Sequence, residues 1–230
     1  MPVADNTLVI MLTLLIISLV VAGVLNIRHQ QLMKKKKEIA KLRGNAQTII
    51  DACQISHTYI EDPSVARTLG QYALNVLKSV QNLDPSDPHT LSALNSAQKL
   101  NESLQQPDQD NFQLPESSSV LKHIQTGMLT LVTTLQKMAK AGKLDIKAQE
   151  QMVAETKWAM VKIEVLIYLA EGDKLAEKGD NYHASGYYKR ALTCLKSSGL
   201  NDPRKTQHVK LVNTALENLD KQKNEQPSSD

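Results

Sequence analysis

The sequence predicts an all-α protein: a transmembrane helix at the N-terminus, followed by an antiparallel helical bundle. Three observations lead there. An uncharged run of eighteen residues, LVIMLTLLIISLVVAGVL, occupies Leu8–Leu25. Beyond it, apolar residues recur at three- and four-residue steps, the period that gathers them on one face of a helix. Finally, 3% aromatic residues, nine Gly and eight Pro in 230 residues are too few for the many short strands and tight turns of a sandwich or barrel. With 41% hydrophobic and 22% charged residues the chain is also too apolar to be wholly disordered.

At about 1.5 Å per residue the apolar run covers about 27 Å, enough to cross a hydrocarbon layer as one helix. A cleaved signal peptide would carry positive charge before the run and a small-residue cleavage site after it. Here the flanks are reversed. Asp5 precedes the run, and seven basic residues from Arg28 to Arg43 follow it with Glu38 as the single acid. An uncleaved single-pass anchor over residues 1–27 is therefore expected, with the N-terminus outside and the remainder cytoplasmic, in a bacterial inner membrane. Residues 1–43 hold 7 of the 27 basic and 2 of the 24 acidic residues, which leaves 20 against 22 for the rest. No basic groove for nucleic acid follows from that balance, and the expected partners are a membrane and a protein. Arg28, Lys34, Lys35, Lys36 and Lys37 are the candidate membrane-surface residues. On a straight helix Lys34–Lys37 stand about 14 to 18 Å past Leu25, beyond a Debye length of about 8 Å, so their expected role is to set topology rather than to grip particular lipids.

The second segment, residues 28–62, is a basic juxtamembrane stretch running into a striped helix. Leu32, Ile39, Leu42, Ala46, Ile49, Cys53 and Ile60 fall on alternating three- and four-residue steps, with Lys35 and Ser56 in the intervening places. Such a stripe makes either a parallel coiled coil or the first helix of a bundle. Ala46, Cys53, Ser56 and Gly44 make a thin seam, which favours the bundle. Cys53 reads as a small core residue. Cys53 and Cys194 form neither a disulfide framework nor a zinc site, and they suit a reducing compartment.

Asp62-Pro63 restarts the chain as a helical hairpin over residues 63–104, Ser64 offering a hydroxyl near its start. Its first helix carries Val65, Leu69, Tyr72, Ala73, Val76, Leu77 and Val80 and stops at Leu83-Asp84-Pro85. Its second starts at Asp87-Pro88, carries Leu91, Leu94, Ala97, Leu100 and Leu104, and is ended by Pro107. Residues 105–119, rich in Gln, Pro, Asp and Ser, read as a linker loop with Phe112 and Leu114 able to pin it. A further bundle spans 120–220. Its first helix runs from Val120 to about Ala141 on Leu121, Ile124, Met128, Leu131, Val132, Leu135 and Met138 and stops at Gly142. The next runs from Ile146 to about Lys178, holding Trp158, Val161, Val165, Tyr168 and Leu169. Residues 221–230 are polar and are expected to form a disordered tail.

The most specific signal is YLAEGDKLAEKGDNYHASGYYKRALTCL, Tyr168–Leu195, in which Gly172, Gly179, Ala184, Tyr188 and Ala191 follow at steps of seven, five, four and three. Over residues of about 165–199 this resembles a tetratricopeptide repeat (TPR). Tyr168 stands where that family has Trp, while Glu171 and Lys196 depart from its pattern. The resemblance implies two packed helices. Gly172 would let the second helix approach closely, Gly179 would turn the chain, and Ala184, Tyr188 and Ala191 would form the packed face of the second helix. The segment Gln207–Leu219 resembles the capping helix that shields a last repeat. Because repeats of this family line a peptide groove mainly with their first helices, the resemblance also implies Leu169, Asp173, Ala176 and Glu177 as partner-binding candidates.

No P-loop, dinucleotide-binding turn, nucleophile elbow or HExxH motif occurs, and the six histidines share no metal-ligand spacing. No catalytic residue, metal or cofactor is expected. The expected function is that of a membrane-anchored TPR-like adaptor or scaffold, not an enzyme, which binds a protein partner at the cytoplasmic face. Three readings stand beside it: a structural membrane protein that self-assembles as a homo-oligomer through the 32–60 stripe, a membrane-tethered nucleic-acid binder using Lys34 to Arg43, and an extracytoplasmic chaperone-like protein if the topology is reversed.

Overall fold

Asp-Pro pairs and glycines divide the chain into its helices. In a computed structural model the described residues are 3–105, 112, 114, 115 and 118–225, with side chains at 18, 19, 21–105, 112, 114, 115 and 119–221. The described residues form seven helices and no strand: α1 (Val3–Tyr59), α2 (Pro63–Leu83), α3 (Pro88–Ser103), α4 (Ser118–Lys140), α5 (Ile146–Glu177), α6 (Asn181–Ser197) and α7 (Arg204–Glu225). Asp62, Asp87, Asp145 and Asp180 cap the N-termini of α2, α3, α5 and α6, each carboxylate accepting from a backbone N–H of the first turn. At α2 the cap is thus Asp62, and Ser64 contributes its backbone N–H at 2.9 Å rather than its hydroxyl. Gly142 and Gly179 close α4 and α5 with φ of 66° and 78°. In both turns the following residue reaches back, Lys143 to the Met138 carbonyl and Asp180 to the Leu175 carbonyl, at 2.9 Å each. That pairing satisfies carbonyls that a helix end leaves open, and it needs a residue tolerant of positive φ.

The helices enclose two apolar interiors. The first is built by α1, α2, α3, α4 and the first part of α5, and includes Ala46, Cys53, Leu69, Leu77, Met128 and Leu131. The stripe expected on α1 is buried at Ile39, Ala46, Ile49, Cys53, Ser56 and Ile60 and half-buried at Leu42, whereas Leu32 and Lys35 are exposed. It packs against α2 and α4 of the same chain. Cys53 Sγ donates to the Ala66 carbonyl at 3.2 Å, and burial pushes its thiol up to about 12. Phe112 is half-buried, its ring 5.9 Å from that of Tyr59, while Leu114 is exposed. The second interior joins Val165 and Leu169 of α5 to Ala184, Tyr188, Ala191 and Leu195 of α6 and to Val212 and Leu219 of α7. Helix α5 therefore serves both. Met152, Ala159 and Ile163 enter the first interior and Val165 and Leu169 the second.

Among the described residues no helix is long and apolar enough to cross a membrane. The backbone of Leu8–Leu25 belongs to α1, but its side chains at 8–17 and 20, on which the anchor expectation rests, lie outside the described residues. Helix α7 continues to Glu225, five residues into the stretch expected to be a tail, and 226–230 lie outside the described residues.

Candidate functional site

The α5–α6 hairpin brings together the residues that the sequence singled out. Gly172 is buried on α5 directly against Tyr188 of α6, and a Cβ at Gly172 would overlap the Tyr188 ring. Ala184 and Ala191 are fully buried on the same face of α6, and Gly179 turns the chain. Tyr188 Oη donates to Asp173 Oδ1 at 2.6 Å, tying the two helices across the turn. Burial, with that bond and the Asp173 charge, holds the Tyr188 hydroxyl well above the ordinary phenol range. Tyr168 is half-buried and donates to Glu164 at 3.1 Å. Of the four partner-binding candidates, Leu169 lies in the second interior and Ala176 packs half-buried against it. Asp173 and Glu177 reach the surface, Asp173 already holding the Tyr188 hydroxyl.

Arg28 and Lys34, Lys35, Lys36 and Lys37 are exposed along α1. Arg43, the last of the basic residues, has a different place: its Nη1 donates to Asp87 Oδ2 at 2.8 Å, so it fastens α1 to the start of α3. Asp87 also accepts from the Thr90 hydroxyl at 2.6 Å, the bond that contributes most to holding its carboxyl below the usual range.

Two further features escape a reading by sequence. One is a charged junction between the two interiors. Arg204, at the start of α7, donates to both Glu155 oxygens at 2.9 and 3.0 Å, to Asp202 at 2.7 Å and to Glu61 at 2.9 Å, while Lys162 donates to Glu61 at 2.7 Å. The guanidinium lies 5.1 Å from the Trp158 ring centre, and the His208 ring meets Trp158 edge-on at 5.1 Å. The Lys162 hydrogen bond, followed by that from Arg204, holds the Glu61 carboxyl below its ordinary range, and the Arg204 hydrogen bond does the same for Asp202. A carboxylate whose folded pKa is lowered stabilises the fold above its unfolded pKa, and that contribution is lost as pH falls through the folded value. The urea midpoint is accordingly expected to drop on acidification from about pH 5 toward 3, and to drop less in the Arg204→Met variant. Parallel pH profiles would remove the junction as the cause.

The other feature is an open cleft of about 720 Å3 between α2, the end of α3 and the α4–α5 turn. Arg67, Gln71 and Asn75 of α2 line one side, and Asn101 and Gln105 another. Arg67 Nε donates to the Leu104 carbonyl at 2.9 Å, and Lys143 Nζ lies 5.3 Å from the Tyr72 ring centre. On α2 these side chains read as an ordinary solvent-facing row at four-residue spacing, and only the fold sets them opposite α3. A second, more polar cleft of about 840 Å3 lies beside α6 and α7, with His183, Arg190 and Asp220 on its walls. Among the described residues no group of three His, Cys, Asp or Glu side chains is arranged to hold a metal ion. Compared with known protein families, curated proteins and solved structures, the chain matches none.

Proposed function

We propose that the chain is a membrane-anchored helical adaptor that binds a protein partner at the cytoplasmic face of a membrane. The observation that carries this reading is the exposure of α1. Every described residue from Val21 to Glu38 is exposed, and burial begins only at Ile39. The exposed stretch includes Leu19, Val21, Val24, Leu25 and Ile27, and it continues the uncharged run that starts at Leu8. The described apolar side chains of this stretch are exposed among the described residues, and giving such surface another apolar medium is worth about 25 cal/mol per Å2. Arg28 and Lys34–Lys37 follow the run, as the positive-inside bias requires of a cytoplasmic flank. On this reading the bundle from Ile39 to the end of α7 is the binding part, with the α5–α6 hairpin a TPR-like unit and α7 its cap. The mechanism is tethering: confinement to the membrane surface raises the effective concentration of the adaptor for any partner found there.

Fusions at the C-terminus test it directly. Green fluorescent protein is expected to fluoresce and alkaline phosphatase to be inactive, with the full chain remaining in the membrane pellet after alkaline carbonate extraction. An active phosphatase fusion, or a soluble chain shortened after Leu25, would overturn the reading.

A further inference from the structure

We propose that the cleft between α2, α3 and the α4–α5 turn binds an extended acidic peptide of a protein partner, with Arg67 and Lys143 receiving its carboxylates. This deepens the adaptor reading and rests on it.

Charge is the first argument. Among the described residues the cleft is lined by two cations and by no carboxylate, although beyond residue 43 acids slightly outnumber bases in the chain. Arg67 is also held in position. Its Nε is committed to the Leu104 carbonyl at the end of α3, which leaves the two terminal nitrogens as a fork of the shape that a carboxylate fits in bidentate fashion. Lys143 reaches the cleft from the α4–α5 turn and rests over Tyr72, a contact that an incoming carboxylate can share.

The remaining lining argues for an extended peptide. Gln71, Asn75, Asn101 and Gln105 are carboxamides, each both donor and acceptor, and so able to meet the alternating N–H and C=O groups of an extended backbone. An amphipathic helix would need a row of apolar contacts, and among the described residues the cleft offers only Tyr72 and Met138. Single-stranded nucleic acid is bound on successive aromatic platforms, and among the described residues the cleft has one ring, already overlaid by Lys143.

The test is fluorescence anisotropy on the full chain in detergent micelles. The probes are a labelled octapeptide of alternating glutamate and alanine, its glutamine–alanine counterpart, and a labelled oligothymidylate. The glutamate peptide is expected to bind saturably and at least about tenfold more tightly than the glutamine peptide, as loss of charge-assisted hydrogen bonds implies. Lys143→Gln and Arg67→Gln are each expected to weaken it about tenfold. Arg67→Lys should restore only part, because an ammonium lacks the fork. Lys189→Gln, outside the cleft, should leave binding unchanged, and circular dichroism melts check that each variant stays folded. Unsaturable binding, equal affinity for the two peptides, wild-type affinity in the Lys143→Gln or Arg67→Gln variant, or oligothymidylate binding as tightly through the same residues would each overturn the proposal. Capture of cellular partners separates its failure from that of the adaptor reading. If the wild type and the Arg67→Gln/Lys143→Gln double variant retain the same partner equally, the cleft assignment falls and the adaptor stands. If the wild type retains none, both fall.

Discussion

Trp158→Ala is expected to lower the free energy of unfolding by about 3 to 5 kcal/mol, the range for truncating a large buried aromatic. Trp158 is 2% exposed and sits where the two interiors meet, with the Arg204 guanidinium and the His208 ring against it. Truncation leaves a void that the surrounding helices can only partly close, and it removes the ring from beneath a guanidinium whose three carboxylate partners come from α5 and from the segments preceding α2 and α7. The loss should therefore appear as an earlier urea transition by circular dichroism, since Trp158 is the single tryptophan and fluorescence vanishes with it. The indole N–H is buried without a hydrogen-bond partner among the described residues, so Trp158→Phe gives up ring area but no hydrogen bond seen there. It should cost less than the alanine variant, because the cavity it leaves is smaller. A cost below about 1 kcal/mol for the alanine variant would contradict the packing of this junction.

Three glycine-to-alanine substitutions are expected to differ in sign. At Gly172 the added methyl meets the Tyr188 ring, whose hydroxyl is fixed on Asp173, so the ring has little room to retreat. Overpacking of that kind costs about 2 to 3 kcal/mol. At Gly127 the obstacle is the Ile55 Cδ1 methyl, the far end of a side chain that can change rotamer. The clash there is relieved cheaply, and the gain of about 1 kcal/mol in helix propensity offsets it. At Gly186 an added Cβ would meet none of the described groups beyond its own stretch of helix within 4 Å, and alanine should stabilise by about 0.5 to 1 kcal/mol. Thermal melts of the three variants check the order. Equal shifts would mean that α5 and α6 are not held together by the Gly172–Tyr188 contact.

Features set by local chemistry are legible in the order of residues alone. A proline ends or starts a helix wherever it stands, and Gly142 and Gly179 adopt positive φ for reasons internal to their own turns. The breaks at Asp62-Pro63 and Asp87-Pro88 and both glycine stops are accordingly where the sequence puts them. Helix α4 buries Ile124, Met128, Leu131 and Leu135 along one stripe, as its spacing predicts, because it faces one interior throughout. Helix α5 resists the same reading. It buries Met152, Ala159 and Ile163 in one interior and Val165 and Leu169 in the other, so no single face is apolar over its whole length. Leu169, expected in a groove, is drawn inside for that reason. Long-range pairing is equally hidden from local pattern. Arg43 looks like one more member of a basic run until Asp87, far along the chain, arrives beside it. The cleft at Arg67 and Lys143 depends on three elements meeting, none of which carries a distinctive motif of its own.

Helix α1 passes without interruption from its exposed stretch into the first interior. Whatever holds its N-terminal part therefore also dictates the height and azimuth of everything packed beyond Ile39. A residue inserted between Met33 and Glu38 would lift that body by about 1.5 Å and swing it through about 100°, and seven inserted residues would return it nearly to its first heading, about 10 Å farther out. Spacing and phase in this rod can thus be varied independently of the surfaces it presents.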